Sequence, residues 1–413
     1  MYYLLFSLYF TIGCFLITKI SFVQKTALSK NWILLLFSWK VFCGLALGWI
    51  TQRYFPSNDY WGLNKLGIEE WELLCTNPKD FFTNITYSPY HNYTGFFNSM
   101  GSYWNDLRNN IVIKIIALTN NCSQGNYYIN SLFFNFIGFL GHLALFRIFI
   151  HIYPEKKKWI LIGCFFLPTT MLYTSGIHKD LLTFVALSFL CYSTYFSVQN
   201  KMDLKKGFLF FISILILLFV RNYVLMAVIP ALIYYLLVTK KKIRPSKGLL
   251  LVYGTIFSGL ILIDLFIPKI SPLTIISQKQ FDFLQLPCAN TDLHMTVLEA
   301  SVRSFVFNLP EAIQHGFFRP FLWDKGNIFL HISSIELMIY LGIIFWGVIK
   351  LIKQSIVSNW VIFFLLLTFT LFVFIGYTIP NSGSIVRYRS IYMPFLITPL
   401  LCSIYSKVGK NTN

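Results

Sequence analysis

GFLFFISILILLFVRNYVLMAVIPALIYYLLVTKKKIRPSKGLLLVYGTIFSGLILIDLF, residues 207–266, decides the fold. It holds three apolar runs, at 207–220, 223–239 and 248–267, and nearly all of its charge is gathered where the runs end. Lys240 to Lys242, Arg244 and Lys247 form one basic junction, and Arg221 with Asn222 forms the other. A membrane-spanning helix needs about 20 apolar residues, so this pattern reads as helices crossing a bilayer in succession. Arg221 interrupts the apolar sequence either in a sharp outer turn or just below the surface, lining a cavity. A charge in that position is a functional candidate by default.

The same pattern extends in both directions. Apolar runs recur at 1–19, 32–50, 127–149, 159–174, 180–198, 329–349, 359–379 and 391–406. The chain has 413 residues, of which 56% are hydrophobic and 12% charged, against roughly 25% charged in soluble domains. The expectation is an all-α polytopic membrane protein of about eleven transmembrane helices, forming a single transmembrane domain over 1–413. The first helix lacks the basic start of a cleavable signal and reads as a retained span.

The formal net charge of +18 is explained by topology rather than by nucleic acid as a partner. With the N-terminus outside, every inner loop is basic: Lys19, Lys25 and Lys30; Arg147 and Lys156 to Lys158; Lys201, Lys205 and Lys206; Lys240 to Lys247; Lys350 and Lys353; Lys407 and Lys410. The C-terminus is then cytoplasmic. The outer connections carry both signs of charge, and two of them are long, at about 51–126 and about 268–328. Their richness in Trp, Tyr and Phe, with apolar pieces such as NIVIKIIAL (110–118), predicts short amphipathic helices at the membrane surface. The eight cysteines are scattered without metal-ligand spacing, so neither a metal nor another cofactor is expected.

Four outer motifs carry candidate chemistry. In SNDYWGLNKLG (57–67), Asp59 is a candidate general base, with helix capping as its alternative role. In TSGIHKDLLTF (174–184), Ser175 and Gly176 suit a turn. His178, Lys179 and Asp180 then open the next helix, where amides and Lys179 suit a phosphate. The third motif supplies Arg303, Arg319 and, one helix later, Glu336, an acid expected to face the bundle and pair with Arg319 or Arg387. The fourth, NSGSIVRYRSIYMPFL (381–396), brings Arg387, Tyr388 and Arg389 to the outer end of the last helix. Arginine forks match phosphate oxygens, although two residues apart on a regular helix point nearly opposite ways.

Taken in order, these motifs resemble those of bacterial multispanning glycosyltransferases and polysaccharide polymerases, of the GT-C-like or Wzy type. The resemblance implies a polyprenyl-phosphate-linked glycan donor, a glycan acceptor, and metal-independent transfer on the outer face of the bacterial cytoplasmic (inner) membrane, with other glycan-assembly proteins as partners. It implies Asp59, with His178 and Asp180, as catalytic residues. Lys179, Arg221, Arg303, Arg319, Arg387 and Arg389 are implied as donor-phosphate ligands, with Glu336 and Tyr388 in support. A paired acidic motif common in such enzymes is replaced here by Asn58-Asp59. The competing expectation is a transporter or flippase of lipid-linked glycans.

Overall fold

The computed structural model describes residues 1–55, 58–84, 103–200, 202–266, 271–287, 290–353 and 357–405, and among these it contains helices and no strand. Lys201, Lys407 and Lys410 of the expected inner loops lie outside the described residues. Chain contacts divide the protein into two compact units, with the boundary at Asn222.

The first unit contains α1 (Tyr2–Lys19), α2 (Ser21–Gln24), α3 (Lys30–Tyr54), α4 (Asp59–Thr76), α5 (Pro78–Thr83), α6 (Tyr103–Ser123), α7 (Tyr127–Ile152), α8 (Lys157–Phe165), α9 (Pro168–Tyr173), α10 (Lys179–Asn200) and the first half of α11 (Leu204–Lys240). The second contains the rest of α11, α12 (Pro245–Phe266), α13 (Pro272–Leu284), α14 (Val302–Phe307), α15 (Leu309–Ile313), a π turn (Gln314–Phe318), α16 (Ile328–Ile352), α17 (Asn359–Thr378), α18 (Ser382–Ser390) and α19 (Met393–Ile404).

Eight helices among the described residues are long and apolar enough to cross a membrane: α1, α3, α7, α10, α11, α12, α16 and α17. The solvent they are built for follows from their exposure. The most apolar window of α12 is only 6% buried and that of α1 11%, against 72% in α10. Leu250, Leu262, Leu265 and Phe266 stand in the open. A bare apolar face of that extent is untenable in water, so the chain is a helical membrane protein.

Four of the expected spans take a different form. The run 159–174 is split into α8 and α9, because Pro168 disfavours helix in the residue before it. The carbonyls freed at the break are taken up by neighbours: Trp39 Nε1 donates to Phe165 O at 3.0 Å, and the His142 ring lies 2.7 Å from Cys164 O. The runs 207–220 and 223–239 form one helix of 37 residues, broken at Arg221, whose φ of −148° and ψ of 77° are non-helical. Unbroken, that helix would measure roughly 55 Å, nearly twice a hydrocarbon core. The last run is a 12-residue helix, α19, preceded by the separate α18.

Both long connections contain helices where they are described, and the second also has non-helical backbone over 290–301 and 319–327. In the first, α4 and α6, with 18 and 21 residues, are longer than expected and pack on each other. NIVIKIIAL lies in α6, with Val112, Ile113, Ile116 and Ala117 buried. Gly67 of α4 is where the two helices meet: an added Cβ would stand 2.4 Å from Ile116 Cγ2. Lys114 in the same stretch is buried and donates to Glu70 Oε2 at 2.7 Å and Phe81 O at 2.6 Å. Asn64, Asn120 and Asn130 join α4, α6 and α7 through mutual amide bonds of 2.7 and 2.9 Å. A buried polar network is tolerable only when its members are satisfied in this way.

In the second unit the tightest approach is between the 309–318 segment and α17. A Cβ at Gly376 would lie 1.9 Å from Ala312 O, and one at Gly316 would lie 2.0 Å from Phe372 O. Backbone meets backbone there, and no side chain can yield.

Candidate functional site

The site in the first unit is assembled around the Asn58-Asp59-Tyr60-Trp61 sequence. Asn58 is the N-cap of α4, its Oδ1 accepting from Trp61 N at 3.0 Å, and its Nδ2 donates to Thr51 O (3.1 Å) and Phe55 O (2.7 Å) at the end of α3. The cap is therefore filled by Asn58. Asp59, one residue on, keeps a carboxylate that is 57% exposed and faces His178 Nε2 across 3.6 Å. The next two residues lock the placement. Tyr60 is buried with its ring 5.2 Å from that of His178. Trp61 stacks on Tyr127 at 4.3 Å and donates from Nε1 to Gly48 O at 3.1 Å.

The 174–178 loop between α9 and α10 is held from below. Asn135 Nδ2 donates to Ser175 O at 2.8 Å. Gly176 is required by Tyr60, whose Cε1 would lie 2.4 Å from an added Cβ. Lys40, fully buried in α3, donates from Nζ to Thr174 O (2.6 Å) and Thr174 Oγ1 (2.8 Å) and lies 3.2 Å from His142 Nε2. These contacts account for an ammonium. The Thr174 hydroxyl gives its own hydrogen to Thr170 O at 2.6 Å. His142 Nδ1, facing Cys164 O, carries the ring proton, so Nε2 accepts. Three acceptors converge on three N–H bonds.

Above this support, His178 and Asp180 are buried while Lys179 is half-buried. Asp180 pairs with Arg221 through Oδ1 and lies 2.9 Å from His178 Nδ1 through Oδ2. The Asp180 amide also lies 3.2 Å from His178 Nδ1, and the other ring nitrogen, Nε2, faces Asp59. The break in α11 thus delivers a buried guanidinium to the start of α10. Arg108 Nε donates to Val220 O at 3.1 Å beside the break, and Lys179 Nζ donates to Asn109 Oδ1 at 2.7 Å. Arg108 and Arg221 both lie within electrostatic reach of Lys179. The result is an exposed acid, Asp59, oriented by a buried His178-Asp180-Arg221 chain, with two further cations alongside.

Of the sequence candidates, Asp59, His178, Lys179, Asp180 and Arg221 are brought together in this unit. Lys40, Arg108, Asn109 and Tyr60 join them without having been singled out. Lys40 had a readable signal, a lysine inside the apolar run of α3. Arg108 and Asn109 had none, since their place depends on how α6 packs.

The remaining candidates belong to the second unit. The backbone through Arg387, Tyr388 and Arg389 is helical, which turns the two arginines apart. Arg389 is buried and its Nη1 donates to Gly316 O (3.1 Å), Phe317 O (3.3 Å) and Arg319 O (2.7 Å), closing the π turn. Arg387 is half-buried, its guanidinium 5.3 Å from the centre of the Tyr388 ring. Buried Glu336 accepts from Tyr340, and Arg389 lies within its electrostatic reach. Arg319 is paired with Asp324. Arg303 is exposed over Phe307. Among the described residues no group of His, Cys, Asp and Glu is placed to hold a metal ion.

No protein-family model, curated protein or solved structure matches this chain.

Proposed function

We propose that the protein is a membrane glycosyltransferase, or a glycan polymerase of that chemistry, using a polyprenyl-phosphate-linked donor on the outer face of a bacterial cytoplasmic membrane. The observation that carries this reading is the exposed Asp59 carboxylate beside buried His178 and Asp180, with Lys179, Arg108 and Arg221 adjacent. An acid open to an acceptor next to cations suited to a phosphate is the pairing that glycosyl transfer needs. Eleven crossings follow if α11 counts as two at its Arg221 break and the α8–α9 pair and α18–α19 as one each. With the N-terminus outside, basic junctions such as Lys240 to Lys247 then fall inside and this site on the outer face.

In this reaction an acceptor hydroxyl attacks the anomeric carbon and a new C–O bond forms. The bond from that carbon to the phosphate oxygen breaks, and its electron pair leaves with the lipid phosphate. Asp59 takes the hydroxyl proton, and His178 Nε2 holds the carboxylate in line. Lys179 and Arg108 stabilise charge growing on the leaving group, where fixed cations act most strongly. Asp180 and Arg221 are buried and position His178.

The test is transfer of label from a polyprenyl-pyrophosphate-linked oligosaccharide in proteoliposomes. Asp59→Asn is expected to lower the rate by about 10²–10⁴-fold, the usual contribution of a general base. A wild-type rate in that variant would overturn the assignment. A transporter of lipid-linked glycans is the second reading, favoured by the break of an apolar helix at a buried arginine. Movement of the labelled lipid across the bilayer with no change in glycan length would establish it.

A further inference from the structure

The second unit contains a cleft that the chemistry above does not use. Two segments form its walls. Residues 290–294 are tied to the start of α18, with Ser382 N donating to Thr291 O (2.9 Å), Leu293 N to Pro380 O (2.6 Å) and Asn381 Nδ2 to Asp292 Oδ1 (3.0 Å). Residues 319–325 close on themselves: Phe321 N donates to Asp324 Oδ2 at 2.8 Å, Asp324 N to Phe321 O at 3.1 Å, and Arg319 pairs with Asp324. Arg389 fixes the base of this second wall through Arg319 O. Between the walls lies an open cleft of about 250 Å³, lined by Asp292, His294, Arg319, Asp324, Lys325 and Ser382 among others.

The lining selects the ligand. The lining carries two carboxylates, Asp292 and Asp324, and two basic residues, Arg319 and Lys325, so its acidic and basic side chains are equal in number, His294 aside. A phosphate would meet both carboxylates, and a lipid chain would meet almost nothing apolar. A neutral polyhydroxyl compound suits both halves, its hydroxyls donating to Asp and accepting from Arg, Lys and His. Arg319 of the lining also lies over the Phe321 ring at 4.5 Å, and Phe321 stacks on Trp323 at 4.9 Å with 17° between the planes. Trp323 is 79% exposed. An aromatic pair carried on the same 319–325 segment offers a sugar ring a C–H face contact, and the polar lining offers its hydroxyls partners.

We propose that this cleft is a binding site for a neutral saccharide. Binding there requires no turnover and does not depend on the transferase reading. Arg319 then serves the cleft wall instead of a donor phosphate.

The experiment is retention of the full-length protein, in nanodiscs, on an array of immobilised neutral and acidic oligosaccharides. Wild type should be retained on neutral oligosaccharides, and Trp323→Ala and Asp292→Asn should each weaken retention roughly tenfold, equivalent to about 1.4 kcal/mol. Both side chains are exposed, so the fold survives their change, and an unaltered thermal unfolding curve checks this. Three results overturn the proposal: no retention on any neutral oligosaccharide, retention that both variants leave unchanged, or retention on acidic oligosaccharides alone. Weaker association of Trp323→Ala with phosphatidylglycerol vesicles, at unchanged saccharide retention, would make Trp323 a membrane anchor and overturn it as well. Retention without glycosyl transfer would refute the transferase reading and leave this one standing.

Discussion

Breaking the Asp180–Arg221 pair is expected to uncouple stability from activity in a way that can be measured. Asp180 has no exposed surface and Arg221 is 5% exposed. Two unit charges at about 4 Å attract by roughly 4 kcal/mol at an effective dielectric near 20. Removing one partner of a buried pair costs about 3–5 kcal/mol, because the other charge keeps its desolvation without its counter-ion. Asp180→Leu also removes an acid from the first turn of α10, about 0.3–1 kcal/mol more. Each of Asp180→Leu and Arg221→Met should therefore destabilise the protein by about 3–5 kcal/mol, while the double variant, with apolar groups facing each other, should recover most of the loss. Equilibrium unfolding in mixed micelles supplies the three values. The double variant should remain inactive, since His178 has lost its positioning carboxylate. Single losses that add to within about 0.5 kcal/mol in the double variant would refute the coupling.

Three further outcomes follow. Lys40→Met orphans acceptors at Thr174 and His142, about 1–3 kcal/mol each, but also removes a buried cation whose desolvation costs several kcal/mol. Transfer should fall at least tenfold while the unfolding free energy moves by less than about 2 kcal/mol, and a parallel loss of both would make Lys40 merely structural. Gly376→Ala places a Cβ 1.9 Å from Ala312 O, and unfolding measurements should show a loss of about 1–3 kcal/mol or more. Burial holds His315 below its ordinary 6.5, opposed by Glu311, reinforced by Arg319 and opposed by Asp324. The folded ring therefore stays neutral where the unfolded ring protonates. Its contribution is intact above about pH 6.5, declines as pH falls below that value, and should vanish from the pH–stability profile of His315→Gln.

How much of this was legible in the sequence depended on whether a residue's role was set by its own neighbours. Apolar runs and Pro168 act locally, so the helices were readable, and the split of 159–174 at Pro168 was readable in principle. Asn58 and Asp59 are both good caps, and only the contacts of Asn58 with Thr51 O and Phe55 O decide which one caps. Arg221 was visible as a charge, but its partner Asp180 lies 41 residues away. Arg389 and Arg387 look alike in RYR. Helix geometry turns one inward onto the carbonyls of the π turn, and no local pattern marks those carbonyls. Lys40 was readable as a lysine inside an apolar run, but its partners His142 and Thr174 lie 102 and 134 residues away.

The central claim is that Asp59 accepts the proton in transfer of a glycan from a polyprenyl phosphate. It is tested most directly by mass spectrometry of lipid-linked glycans from cells in which the gene carries Asp59→Asn. The unextended lipid-linked precursor should accumulate, with the variant protein present in the membrane at normal abundance. A precursor pool and surface glycan indistinguishable from wild type would contradict it.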